Sequence, residues 1–154
     1  MEDIDEQVPE KIKIKRFSNT PTHFLGTHSA GLFLGQIVLI NGRKSSGRMN
    51  WNVVLHLFDE YGSHLETKEW VSSHLVKDAR QAGFKVRSKL SEMIRGLSSV
   101  AFCDVCIRPF DVKIGGNLFG LVVDPGGKCS CQSVQLLPDG AVFRAPWNGE
   151  YEIE

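Results

Sequence analysis

Four cysteines come nearest to a metal-binding pattern in this chain. Cys103 and Cys106 enclose two residues, and after twenty-two further residues Cys129 and Cys131 enclose one. Four thiolates at such spacings can surround one zinc ion. If Cys103 and Cys106 share an extended strand, however, their offset of three sends the two side chains to opposite faces. We therefore expect reduced thiols and no cofactor, with a four-cysteine zinc site as the alternative.

A histidine and a glutamate form the second candidate for chemistry. His56 lies on a predicted strand, and the hairpin that follows would set it opposite Glu66. A carboxylate at that position would favour the protonated imidazole, and the pair could act as acid and base in a cleft. An ordinary cross-strand ion pair is the simpler interpretation.

Motifs of common enzyme classes are missing from the sequence. Gly26, Gly31 and Gly35 do not form a dinucleotide-binding fingerprint, and neither a phosphate-binding Gly-Lys-Ser or Gly-Lys-Thr element nor a Gly-x-Ser-x-Gly element occurs. The residue pattern therefore does not point to catalysis.

Basic and aromatic residues supply the candidates for binding. A polar loop carries several cations, the outer face of a predicted helix forms a basic stripe, and the C-terminal segment holds two large aromatic residues. The predicted binding residues are Arg43, Lys44, Arg48, Arg80, Arg87, Trp147 and Tyr151. The cations suit an acidic protein surface or phosphate, although a solvated helix face is the ordinary explanation. The aromatic residues would form a binding patch if exposed and part of the core if buried.

Residue periodicity predicts the elements that position these side chains. Residues 11–17 alternate between polar and apolar, residues 31–40 are almost continuously apolar, and residues 51–58 follow as another strand. Residues 59–63 predict a turn in which Gly62 adopts a positive φ. Counting from that turn pairs Leu57 with Leu65 and His56 with Glu66.

One amphipathic helix is predicted after this hairpin. Apolar residues recur at intervals of three and four from Leu75 to Leu97, with Ser72 or Ser73 as N-cap and Gly96 as terminator. Gly83 lies inside the helix, where it costs about 1 kcal/mol relative to alanine.

Strand signals resume after residue 104 and are joined by short turns. The chain therefore predicts an α+β domain, a mostly antiparallel sheet of about six to nine strands with one long amphipathic helix on one face. Residues 1–10 are predicted to be a flexible acidic leader, and residues 11–154 a single domain.

Composition limits the location and the partners. Eighteen basic and eighteen acidic residues balance, so no overall field attracts nucleic acid or anionic lipid. The acidic start is unlike a secretory signal, and no apolar run approaches a membrane span. We expect a cytoplasmic protein that does not enter a membrane.

Four segments carry a resemblance to a known family. They are Val54 to Gly62, Asp104 to Phe110, Leu118 to Val123 and Phe143 to Tyr151. In order and spacing they resemble a poorly characterised family of small bacterial cytoplasmic proteins that is sometimes labelled formate hydrogenlyase regulatory protein. The resemblance spans roughly residues 30–151. It implies a cytoplasmic protein, brings no established activity, and does not require cysteines at positions 103 and 106.

These observations predict a non-catalytic protein-binding module. Its most concrete form is an immunity-type protein that neutralises a bacterial toxin domain by direct binding. One alternative is a small zinc-binding protein or enzyme that uses the four cysteines, or His56 with Glu66. The other is a nucleic-acid-binding regulator that uses the basic helix face, although the sequence shows neither stacking aromatics on a sheet nor a helix-turn-helix.

Overall fold

Strands dominate the computed structural model, which describes residues 8–16, 24–41, 47–124 and 132–153. Within these residues, one helix, α1 (Ala79–Arg95), follows a 3₁₀ turn (Val76–Asp78). The twelve strands are β1 (Ile12–Ile14), β2 (Phe24–His28), β3 (Gly31–Asn41), β4 (Arg48–Phe58), β5 (His64–Leu75), β6 (Ala101–Phe102), β7 (Val105–Ile107), β8 (Phe110–Ile114), β9 (Asn117–Asp124), β10 (Ser133–Leu137), β11 (Ala141–Phe143) and β12 (Glu152–Ile153).

Antiparallel pairing groups these strands into three sheets. The helix-bearing sheet has the order β5-β4-β3-β2-β6, the C-terminal sheet has the order β12-β11-β10-β9-β8, and β1 pairs with β7. The protein is therefore an α+β protein built mainly of antiparallel sheet. The structure thus has three sheets where the sequence predicted one. The described residues also contain more strands than predicted, and two of these, β6 and β12, have only two residues each, too few to show a period.

Helix α1 covers one face of the helix-bearing sheet. Its buried residues Ala82, Val86, Leu90 and Ile94 recur every four positions and pack against the side chains of this sheet, such as Phe33. Full burial of each large side chain in this layer contributes roughly 1.5–3 kcal/mol. The amphipathic helix on one face is confirmed.

The opposite face of this sheet is also covered. Leu34 and Phe58 pack against Leu121 and Phe143 of the C-terminal sheet, and the β1–β7 pair adds Ile12 to the same core. Strand β3 is thus covered on both sides, as its apolar run predicts.

The β4–β5 hairpin confirms the predicted turn but not the predicted register. Asp59 N–H donates to the carbonyl of Ser63 at 2.9 Å, and Gly62 has a φ of 87°. Beyond the turn, a bulge at Leu65 inserts one residue, so that Leu57 pairs with Glu66. The predicted Leu57–Leu65 pair is wrong because a single bulged residue shifts every pair that follows.

Helix α1 begins later than the sequence predicts. Ser72 and Ser73 lie within β5 rather than at a cap, because the strand continues pairing with β4 as far as Leu75. Asp78 occupies the N-cap position without a side-chain capping bond, whereas Gly96 ends the helix as predicted.

The N-terminal segment is described from Val8 onward. Val8 packs against the core shared by the sheets, and Glu10 forms an ion pair with Arg108. Both residues were assigned to the predicted leader, whose first seven residues lie outside the described part of the chain. Within the described ranges, no helix is long and apolar enough to cross a membrane.

Candidate protein-binding surface

The outward side of α1 brings three arginines and an aromatic residue together. Because an α-helix has 3.6 residues per turn, Arg80, Phe84, Arg87 and Arg95 fall within a sector of about 80° and extend over about 22 Å. All four side chains are exposed, and Phe84 is 68% accessible. We call these four residues the arginine face.

The arginines of this face have no acidic partner in the part of the chain that the structure describes. The ion pair on α1 joins Lys89 to Glu92 at 4.0 Å, on a different side of the helix. The guanidinium of Arg87 instead lies over Gly83, since a Cβ built there would be 3.5 Å from Nη1. The guanidinium groups of the arginine face are therefore not paired with carboxylates of the described residues.

An apolar groove adjoins the C-terminal end of the arginine face. It has a volume of about 280 Å³, and its lining is Phe24, Ser91, Ile94, Arg95, Val100 and Phe102. Strands β2 and β6 form its floor, because Gly26 of β2 pairs with Phe102 of β6. A Cβ at Gly26 would lie 2.0 Å from the backbone oxygen of Ala101, so glycine permits this close approach.

Phe102 provides an aromatic wall at the rim of the groove. It is partly exposed, its ring contacts Phe33 edge-on at 5.8 Å, and the guanidinium carbon of Arg16 lies 5.2 Å from its centroid. Arg16 and Arg95 thus place positive charge beside apolar surface. This combination suits a partner side chain that is apolar and flanked by carboxylates.

The predicted binding residues divide into those that the arginine face contains and those that lie elsewhere. Arg80 and Arg87 belong to it. Arg48 lies on β4, where its Nε donates to the hydroxyl of Ser73 at 3.0 Å, and it is not part of this face. Arg43 and Lys44 lie outside the described residues.

Trp147 and Tyr151 pack against the protein core. Both are half-buried, and the ring of Tyr151 lies 5.2 Å from that of Phe143. Burial, together with the nearby Asp139 carboxylate, raises the pKa of Tyr151 to about 12. Of the two possibilities, the contacts of these side chains fit the core.

Two of the four cysteines, Cys103 and Cys106, lie in the described part of the chain, and no disulfide joins them. Cys106 projects from β7 as an exposed residue between two buried ones, and Cys103 lies just outside that strand. Cys129 and Cys131 lie outside the described residues. Among the described side chains, no group of three or more His, Cys, Asp or Glu residues is placed to hold a metal ion.

His56 pairs with Thr67 rather than with Glu66, so the predicted acid–base pair is wrong. The bulge at Leu65 moves Glu66 to the helix side of the sheet, opposite Leu57. His56 is instead fully buried, and burial with a smaller contribution from His64 lowers its pKa to about 3. The expected shift towards the protonated form is reversed.

A buried polar chain runs through His56. Its Nδ1 lies 2.8 Å from the Thr67 hydroxyl, which is 2.7 Å from Nε2 of His64. On its other side, Nε2 of His56 lies 2.7 Å from Oε1 of Gln36, whose Nε2 donates to the carbonyl of Leu137 at 3.3 Å. The chain thereby links the helix-bearing sheet to the β10–β11 turn.

The ring of Phe110 contacts both histidines of this polar chain. It stacks on His64 at a centroid distance of 4.8 Å and meets His56 edge-on at 4.9 Å. The hydrogen bonds and ring contacts of His56 indicate that the polar chain stabilises the fold.

Sequence reasoning missed Phe84 and the groove. Phe84 interrupts the basic stripe on the side of α1 that faces away from the apolar stripe, and that position could have signalled an exposed aromatic anchor. The groove joins residues from β2, α1 and β6, which no local pattern connects.

A comparison with protein-family models, with curated proteins and with solved structures found no match. The family resemblance therefore stays a prediction from four segments.

Proposed function

We propose that this protein is a non-catalytic protein-binding module that recognises an acidic partner through the arginine face and the adjoining groove. Its most concrete form is an immunity-type protein that neutralises a bacterial toxin domain. One observation carries the proposal: three arginines without acidic partners in the described chain flank the exposed Phe84 beside an open apolar groove.

The energetics of interfaces support this assignment. Arginine and aromatic residues contribute most of the binding energy in protein interfaces, above all where an apolar pocket excludes water. Phe84 is costly to leave in water and adds nothing to the core, so its burial by a partner would be favourable. Carboxylates on that partner would pair with Arg80, Arg87 and Arg95 and accelerate association.

A protein partner fits this surface better than nucleic acid does. The net charge is zero, so a nucleic acid would meet balancing acidic residues outside the arginine face. Single-stranded nucleic acid also prefers stacking aromatics along a groove, whereas the groove here accepts an apolar side chain in a volume of about 280 Å³.

Affinity capture with charge-matched variants tests the proposal. Tagged wild type is compared with Arg80→Glu/Arg87→Glu and with the control Lys85→Glu/Lys113→Glu, whose exposed side chains lie outside the arginine face and change the net charge equally. Captured proteins are quantified by mass spectrometry after nuclease treatment. We expect one protein to be retained by wild type and control but lost at least tenfold by the arginine variant.

A growth assay then tests the toxin-neutralising form. The captured protein is expressed alone and together with each variant, and we expect it to arrest growth unless wild type or the control is present. Rescue by the arginine variant would show that the face is not the binding surface. If nuclease treatment abolishes retention, and affinity falls linearly with the logarithm of salt concentration, the protein binds nucleic acid and the proposal is wrong.

A further inference from the structure

Strand β5 forms one edge of the helix-bearing sheet, and no described strand pairs with its outer side. It extends over twelve residues, so a long row of backbone N–H and C=O groups points outward along it. A long open edge of this kind is a template for the addition of another strand.

The side chains of β5 do little to protect this edge. Leu65 is 60% and Val71 57% exposed, and no proline interrupts the strand. From Glu66 to Leu75 its pairing with β4 is continuous, and the bulge at Leu65 lies at one end. The strand contains one lysine, Lys68, and no arginine. Glu66, Lys68 and Glu69 are its charged residues, and they restrict which strand can pair with this edge.

We propose that β5 pairs antiparallel with β5 of a second copy of this chain, so that the two helix-bearing sheets form one ten-stranded sheet. This dimer surface is the lateral edge of the sheet and is separate from the arginine face. The inference therefore goes beyond the proposed function and does not depend on it.

Like-charge repulsion and the length of overlap limit the register of this pairing. In an antiparallel pair related by a two-fold axis normal to the sheet, one residue faces its own copy, and the residues on either side pair symmetrically around it. An axis at Glu66, Lys68 or Glu69 places like charges directly opposite each other, which is destabilising. An axis at Thr67 or Val71 avoids this but shortens the overlap.

An axis at Trp70 gives the longest overlap without a like-charge pair. Leu65 then faces Leu75 of the second copy, Glu66 faces His74, and Glu69 faces Val71. The overlap covers residues 65–75, about 37 Å of strand at 3.4 Å per residue. Trp70 faces its own copy, and aromatic pairs of this kind are favourable across strands. The strand is thus self-complementary over nearly its whole length.

Sedimentation velocity of the full chain under reducing conditions tests the dimer and its register. We expect the wild type to be a dimer at micromolar concentration. Val71→Glu places a carboxylate opposite Glu69 of the second copy twice in each dimer, and we expect it to weaken dimerisation at least tenfold. Val71→Lys changes the same exposed residue but places opposite charges together, so the dimer should persist.

A charge swap provides the decisive control. Glu69→Lys combined with Val71→Glu restores the attraction across the axis, and we expect it to restore the dimer. Arg80→Glu/Arg87→Glu should leave dimerisation unchanged, which separates this inference from the proposed function. Circular dichroism establishes that each variant is folded.

Three outcomes would overturn the inference. A monomeric wild type would leave the edge to a strand of a different protein. Equal dimerisation of Val71→Glu and Val71→Lys would place the dimer interface elsewhere. Assembly beyond a dimer would mean that the contact does not close around a two-fold axis.

Discussion

Nε2 of His56 lies 2.7 Å from Oε1 of Gln36, and this contact determines which nitrogen of the buried imidazole carries the proton. An amide oxygen only accepts hydrogen bonds, so Nε2 must donate and Nδ1 must accept. The Thr67 hydroxyl, 2.8 Å from Nδ1, therefore donates to it and is free to accept from Nε2 of His64. Every bond of this chain then has one donor and one acceptor, with His56 neutral.

Removal of the His56 imidazole should destabilise the fold. In His56→Ala the Gln36 oxygen and the Thr67 hydroxyl lose their buried partner and a cavity forms beneath Phe110. We expect the free energy of unfolding to fall by about 3 kcal/mol, measured by urea denaturation. His74→Ala serves as the control, because His74 bonds to Ser72 in a half-exposed position, and it should cost much less. Equal losses in the two variants would contradict the structural role of the polar chain.

Acid should destabilise the protein because His56 resists protonation when folded. Above pH 6.5 the imidazole is neutral in both the folded and the unfolded chain. Between 6.5 and its folded pKa of about 3, the unfolded chain binds a proton that the folded chain excludes. The free energy of unfolding should therefore decrease as the pH is lowered through this window. The decrease due to His56 is at most about 1.4 kcal/mol per pH unit.

Two neighbouring groups modify that acid profile. Burial lowers the pKa of His64, so it acts in the same direction as His56. Burial raises the pKa of Asp139 from 3.8, and the hydrogen bond from Gln36 has a smaller opposing effect. Because the folded pKa is raised, the contribution of Asp139 to stability is present at low pH and is lost as the pH rises through the folded pKa. His56→Gln keeps an uncharged polar side chain, and urea denaturation at several pH values should show a shallower acid slope. An unchanged slope would assign the effect to other groups.

Alkaline pH should act through Tyr151. Its folded pKa of about 12 exceeds the ordinary value of 10.0, so between these values the unfolded chain releases a proton that the folded chain retains. Stability should therefore fall as pH rises through this window. Tyrosinate absorbance should show a late titration step that disappears in Tyr151→Phe. A step that survives this substitution would belong to a different tyrosine.

Two glycines should respond oppositely to alanine. In α1, a Cβ at Gly83 would make an ordinary contact of 3.5 Å with Arg87, so Gly83→Ala should raise the free energy of unfolding by about 1 kcal/mol. On β9, a Cβ at Gly120 would lie 2.1 Å from the backbone oxygen of Phe110, at a φ of 144°. Gly120→Ala should therefore cost about 2 kcal/mol or more. Thermal and urea unfolding compare the two, and a loss at Gly83 would mean that its helix is strained.

Local patterns predicted the elements well. The apolar run of β3, the stripe of α1 and the turn at Asp59 each depend on residues close together in the chain, and each is present. Arg80 and Arg87 were correctly placed on one exposed helix face for the same reason. Their use in binding remains a proposal.

The arrangement of those elements required the folded chain. One bulged residue at Leu65 moved Glu66 away from His56, and no turn signal marks that bulge. Whether Trp147 contacts the core or solvent depends on a core cluster whose residues come mostly from strands remote in sequence. The groove likewise depends on the folded chain, because its lining comes from β2, α1 and the segment around β6.

By itself the sequence determined the period of each strand and helix, the balance of charge and the position of the main hairpin turn, because these depend on neighbouring residues. Only the tertiary structure decided the register of β5, the neutral state of His56 and the open sheet edge. These features depend on contacts such as that between Gln36 and Leu137, which are 101 residues apart. Burial sets pKa values and exposure, and burial is a property of the assembled core.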